Sequence, residues 1–153
     1  MKSNLINLDE TFQRCEFNHG EDYVLTVYFT SGLYLTARMN KSMIAESVSP
    51  HLFGVSIMCH NNNVQTVLLD CDMDMVTVAE TLAAQLKHKQ VTTVSATCHT
   101  EFAQLAFCGE GEGVMVEFNF FYNHSGYDAV PVMVEQRHCL DNSSRLILLK
   151  GNL

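Results

Sequence analysis

The segment "DCDMD" sets Asp70, Asp72 and Asp74 at alternate positions, like the D-x-D-x-D opening of a calcium loop. Such a loop needs glycine at its sixth position and a bidentate glutamate at its twelfth. Met75 and Thr81 stand there instead. The three acids therefore read as a strand end and a helix N-cap, where carboxylates meet free N–H groups and the positive end of the helix dipole. A second group is the adjacent pairs Cys59-His60, Cys98-His99 and His138-Cys139. Zinc takes both ligand types, but its strong spacings, C-x₂-C and H-x₃-H, do not occur. Neighbours on a strand point to opposite faces, so each pair offers one ligand to a given site. No metal or other cofactor is expected.

In "CGEGEGV", residues 108–114, three glycines alternate with Glu110 and Glu112. A phosphate-cradling glycine loop leads into a helix N-terminus. A strand-like run follows here and the glutamates repel phosphate, so the stretch reads as a hairpin tip. "YNHSGYD", residues 122–128, clusters Tyr122, His124, Ser125, Tyr127 and Asp128 and reads as a polar inter-strand loop. No G-x-S-x-G, H-E-x-x-H or P-loop is present. The chain is not expected to be an enzyme. The alternative is a small-ligand-binding domain or small cytosolic enzyme that uses the Cys/His groups or the 122–128 loop.

Charge is the stronger signal. From Gln90 to Gln136 there are six acids (Glu101, Glu110, Glu112, Glu117, Asp128, Glu135) and no lysine or arginine. Asp70, Asp72, Asp74 and Glu80 extend the acidic region, relieved only by Lys87 and Lys89, and the whole chain carries a formal net charge of -8. Nucleic-acid phosphates and anionic membrane surfaces would be repelled, so neither is an expected partner. A basic protein partner would be attracted. The expected partner-binding residues are Asp70, Asp72, Asp74, Glu101, Glu110, Glu112, Glu117 and Asp128.

The elements that position these residues follow from periodicity. "YVLTVYFT" and "LYLTARM" alternate about "SG" at 31–32, with Tyr23, Leu25, Val27 and Phe29 on one face, a hairpin pattern. "HLFGVSIMCH" and "VQTVLLD" form a second strand pair about "NNN", and a short helix or loop over 40–49 joins the pairs. In "DMVTVAETLAAQLKHK" the period changes: Met75, Val78, Ala79, Leu82, Ala83 and Leu86 share one helical face, which predicts a helix near 73–88. Then "VTTVSATC", "EFAQLAFC", "VMVEFNFFY", "AVPVMVEQRHC" and "SRLILLK" read as strands. Val114, Val116, Phe118, Phe120 and Tyr122 are expected on one face of the third, with Met115, Glu117 and Asn119 on a face that is at least partly wet. The expected fold is a single α+β domain over 1–153: an antiparallel sheet, strands–helix–strands, packed by one central helix.

The chain's 153 residues can bury a real core. The start, "MKSNLINLDETF", lacks a signal-peptide layout, and no apolar run is long enough to span a bilayer. The expected location is cytoplasmic, with all six cysteines reduced.

This layout, an acidic domain without a catalytic motif and with the helix "MVTVAETLAAQL" flanked by strands, resembles bacterial immunity proteins that neutralise toxins, in particular those of contact-dependent growth inhibition. It is also similar in strand–helix–strand order to the Whirly-type single-stranded nucleic-acid-binding fold. It departs from that fold at the end, where "RLILLKGNL" reads as strand and tail rather than helix. The first resemblance implies a protein that binds and blocks a basic toxin domain, with a nuclease the natural target.

Overall fold

Residues 2–40, 55–59, 64–67, 72–99, 102–111, 113–121, 132–139 and 144–149 are described by a computed structural model of the chain. In chain order the elements are β1 (Lys2–His19), β2 (Tyr23–Phe29), β3 (Leu33–Met39), β4 (Val55–Cys59), β5 (Val64–Val67), α1 (Asp72–Leu86), β6 (Gln90–Cys98), β7 (Phe102–Gly109), β8 (Gly113–Phe121), β9 (Val132–His138) and β10 (Ser144–Leu149). The fold is α+β but mostly β. Its strands pair antiparallel in the order β10-β9-β3-β2-β1-β6-β7-β8-β4-β5, which does not close on itself. The stretch 41–49, expected to join the two strand pairs, lies outside the described residues.

The long β1 organises this order. Its first half, to Thr11, pairs with β6, and its second half, from Phe12, pairs with β2. Register shifts fall between Asn7 and Glu10 and between Phe12 and Arg14. Each inserts unpaired backbone, which bends and twists a strand. β1 thereby passes from one sheet into the other, and the two sheets lie face to face. Leu25, Val27 and Leu35 of one sheet meet Val94, Leu105 and Phe107 of the other across a gap of about 10 Å³, room for no more than one water. Phe17 of β1 meets the ring of Phe118 on β8 edge-on, 5.9 Å between centroids, and stacks on Tyr23 at 6.0 Å. Among the described residues, these side chains fill the space between the two sheets at this point.

The helix takes the predicted face. Met75, Val78, Leu82 and Leu86 are buried in the common core, with Ala79 and Ala83 packed against it, while Met73 and Val76 face outward. Each buried aliphatic side chain contributes about 1.5–3 kcal/mol. At the C-terminal end Lys89 N donates to Leu86 O at 2.9 Å, and His88 adopts φ 61°, the left-handed conformation usually left to glycine. Phe12 N then donates to Lys89 O at 3.0 Å and clips the helix exit to the middle of β1. Lys87 and Lys89 stand exposed just past the last helical residue.

The glycine-rich stretch is the β7–β8 turn. Gly111 and Gly113 have φ of 72° and 67°, where a Cβ would be strained. Gly109 serves a different need: a Cβ there would lie 2.9 Å from Met115 Sδ and 3.3 Å from Gln90 O. The register steps from Phe107↔Val116 to Cys108↔Val114, leaving Met115 as the bulged residue. This corrects the expectation for Val114, which is turned to the opposite face from Val116 and is 40% exposed. The face expected to be at least partly wet carries a half-buried Glu117 and a buried Asn119, and Tyr122 lies outside the described residues. Met115 is buried as well, under Gly109.

Candidate functional site

Of the eight acids expected to bind a partner, Asp70, Glu101, Glu112 and Asp128 lie outside the described residues. Asp72 and Asp74 occupy the first turn of α1, Glu110 the exposed β7–β8 turn, and Glu117 the middle of β8. The fold does not bring these into one patch. Gly109 abuts Gln90, the first residue of β6, so the β7–β8 turn stands beside the C-terminal end of α1. Asp72 is at the other end of that helix, roughly 20 Å away at 1.5 Å per residue. Glu117 sits four residues along β8 from Gly113, a distance of roughly 13 Å. Glu110 and Glu117 belong to one hairpin, and the helix-start acids form a separate group.

Two further acids join the hairpin tip. Gln90 Nε2 donates to Asp9 Oδ1, and Glu10 lies opposite Val91 across the β1–β6 ladder. Asp9 and Glu10 escaped the sequence reading because β1, with its broken period, was not recognised as a strand.

On the face of β6–β7–β8 turned away from the other sheet, where Thr97, Ala106 and Asn119 are buried, Gln104 Nε2 donates to Glu117 Oε2 at 3.1 Å, and Ser95 Oγ lies 3.5 Å from Thr97 Oγ1. Asn119 sits directly across from Gln104 on β7 and Ser56 on β4, and is 5% exposed. Its Oδ1 has no hydrogen-bond partner. These three neighbouring strands contain Glu110 and Glu117 at and below their tip and no lysine or arginine.

Arginines gather on the other sheet. Arg14, Tyr28, Tyr34 and Arg137 are successive cross-strand partners over β1, β2, β3 and β9. The Arg14 guanidinium lies 3.9 Å above the centre of the Tyr28 ring, and the Tyr28 and Tyr34 rings are 5.6 Å apart. Glu16 pairs with Arg14 and Glu135 with Arg137, so this face is nearly balanced in charge. All four arginines of the chain, Arg14, Arg38, Arg137 and Arg145, thus lie on this sheet, whereas Lys2 lies on the part of β1 paired with β6 and Lys87 and Lys89 stand at the helix exit beside the β7–β8 turn.

The Cys/His pairs are dispersed. Cys59 is buried on β4, Cys98 is buried at the end of β6, and Cys139 is exposed beyond β9. The His99 ring stacks on Phe102 at 4.3 Å. Among the described residues no group of three metal-ligating side chains forms. A shallow groove of about 380 Å³ runs between β1 and α1 over Phe12, Cys15, Ala79 and Ala83, with Arg14 and Lys87 at its rim. The Cys15 thiol donates to Ala79 O at 3.3 Å, and burial pushes its pKa up to about 11. Burial, then the Glu117 carboxylate, also raises the Cys108 thiol. Both are held as thiols at neutral pH, the form that is a poor nucleophile. The 122–128 loop lies outside the described residues. Among the described residues no helix is long and apolar enough to cross a membrane.

Comparison with protein-family models, curated proteins and solved structures gives no match.

Proposed function

We propose that this chain is an immunity protein that binds a basic toxin domain, a nuclease being the fitting target, and neutralises it by acidic surface complementarity. The observation that carries this reading is the cation-free block β6–β7–β8. It exposes Glu110 at its tip and carries a half-buried Glu117 below it, while the arginines lie on the opposite sheet. A basic surface approaching such a molecule is oriented as well as attracted, because segregated charge steers encounter toward one side. Cytoplasmic residence fits a protein that meets a toxin after its entry.

Co-expression with the product of the adjacent gene tests the proposal: growth should be restored and the two chains should co-elute on size exclusion. Glu110→Lys should slow association several-fold and change dissociation little, since rim charges act mainly on encounter. The effect should shrink above about 0.5 M salt, where screening acts within a few ångström. Full growth inhibition with no complex would overturn the proposal.

A further inference from the structure

The side of α1 turned away from the core carries an apolar projection and an apolar hollow. Near the start of the helix, Met73 and Val76 stay 68% and 46% exposed. They are neighbours on the helix surface, three residues apart. Toward its end, half-buried Ala79 and Ala83 form the floor of the groove of about 380 Å³ together with Phe12 and Cys15 of β1, with exposed Ala84 and Lys87 at the edge. Val76 and Ala83 are seven residues apart, two turns of helix, so projection and hollow share one stripe at a separation of about 10 Å. Glu80 lies on that stripe between them and is exposed. Apolar surface that runs on from side chain to side chain within a polar rim marks a site of association, unlike single exposed side chains.

We propose that α1 is the contact helix of a homodimer, in which two copies set their α1 helices antiparallel about a two-fold axis near Glu80. The rotation that places Val76 of one copy in the groove of the other places the second Val76 in the first groove, so every contact is made twice. Met73 extends the contact toward Ala84 and Lys87 at the end of the groove. The same pairing brings exposed Lys87 to the first turn of the second helix, where Asp72 and Asp74 stand, and sets the two helix dipoles in opposition. Another protein would have to supply an apolar ridge at this spacing, whereas a second copy carries one already. Two terms oppose association. The Glu80 carboxylates meet near the axis, and a net charge of -8 on each copy repels at long range. The dimer is therefore a weak one, held by its apolar contacts.

Sedimentation equilibrium at about 0.5 M salt, where the long-range repulsion is screened, is the test. The mean mass should climb from that of one chain toward that of two as the concentration rises from low micromolar to sub-millimolar. Val76→Glu should weaken the dimer at least about tenfold, because it sets a charge on an apolar floor. Val76 is exposed in the single chain, so this variant folds, and a thermal melt at low concentration checks that it does. Glu80→Gln should tighten the dimer several-fold, an effect that association through any other face would not show. Leu146→Glu, at an equally exposed apolar residue on β10, should leave it unchanged. A single-chain mass at every concentration, a dimer indifferent to Val76→Glu, no tightening in Glu80→Gln, or dissociation by Leu146→Glu would each overturn the proposal. No toxin enters the measurement, so its outcome is independent of the co-expression result.

Discussion

Replacing Phe118 with alanine probes whether the two sheets share one core. Phe118 is 1% exposed, flanked by Leu105 and Ile57 across the ladders, and set edge-on to Phe17 of the other sheet. Truncating a buried phenylalanine costs about 3–5 kcal/mol through lost transfer energy and the cavity left behind. For a chain of this size each kcal/mol lowers Tm by about 2–4 °C, so Phe118→Ala should melt roughly 12 °C lower. The cost approaches the total stability of a typical domain, roughly 5–15 kcal/mol. Phe118→Leu, at about 1–1.5 kcal/mol, is therefore the companion variant that stays folded. Urea melts give the magnitude, and native-state hydrogen exchange gives the distribution. Because Phe17 lies on the part of β1 that pairs with β2, amides of β2 and β3 should lose protection together with those of β7 and β8. A loss under about 1 kcal/mol for Phe118→Ala would refute the reasoning. So would faster exchange confined to β7, β8 and β4, which would mean two sheets that unfold separately.

Three more outcomes follow from single residues. The folded Cys15 thiol titrates near 11 against 9.0 for an ordinary one, burial being the main cause. The group's contribution is complete below pH 9 and is lost as the pH rises toward 11, so thermal melts over that range should fall more steeply for wild type than for Cys15→Ala; equal slopes would contradict the burial. His88→Gly should stabilise by up to about 1 kcal/mol in urea melts, since glycine bears no Cβ penalty at φ 61°. A disulfide reagent should modify exposed Cys139 first and buried Cys59 and Cys98 only on unfolding, with six thiols titrating in denaturant and no zinc in the purified protein.

Local pattern was legible where an element keeps one period throughout. Met75, Val78, Leu82 and Leu86 recur at helical spacing, so α1 and its buried face could be read directly, to within two residues at its end. The strict alternation of Tyr23, Leu25, Val27 and Phe29 likewise marked β2 and its core face. The hairpin tip was written in its glycines, two of which hold positive φ. β1 was not legible. Its buried residues Ile6, Phe12 and Phe17 fall out of step because register shifts add residues at two points, and a period interrupted twice within eighteen residues looks like none. The bulge at Met115 hid the true face of Val114 for the same reason.

For the candidate site, sequence alone determined the inventory: a run of acids without cations, and a glycine-rich tip bearing Glu110. Periodicity assigns residues to the face of an element but says nothing about which elements become neighbours. Tertiary structure decided that Glu110 stands near Asp9 and Glu10, far from Asp72, because the length of α1 separates them. It also decided that the arginines collect on one sheet and that Asn119 is buried with an unfilled acceptor. Those facts depend on β1 crossing between two sheets, a pairing between residues distant in sequence that no local pattern encodes.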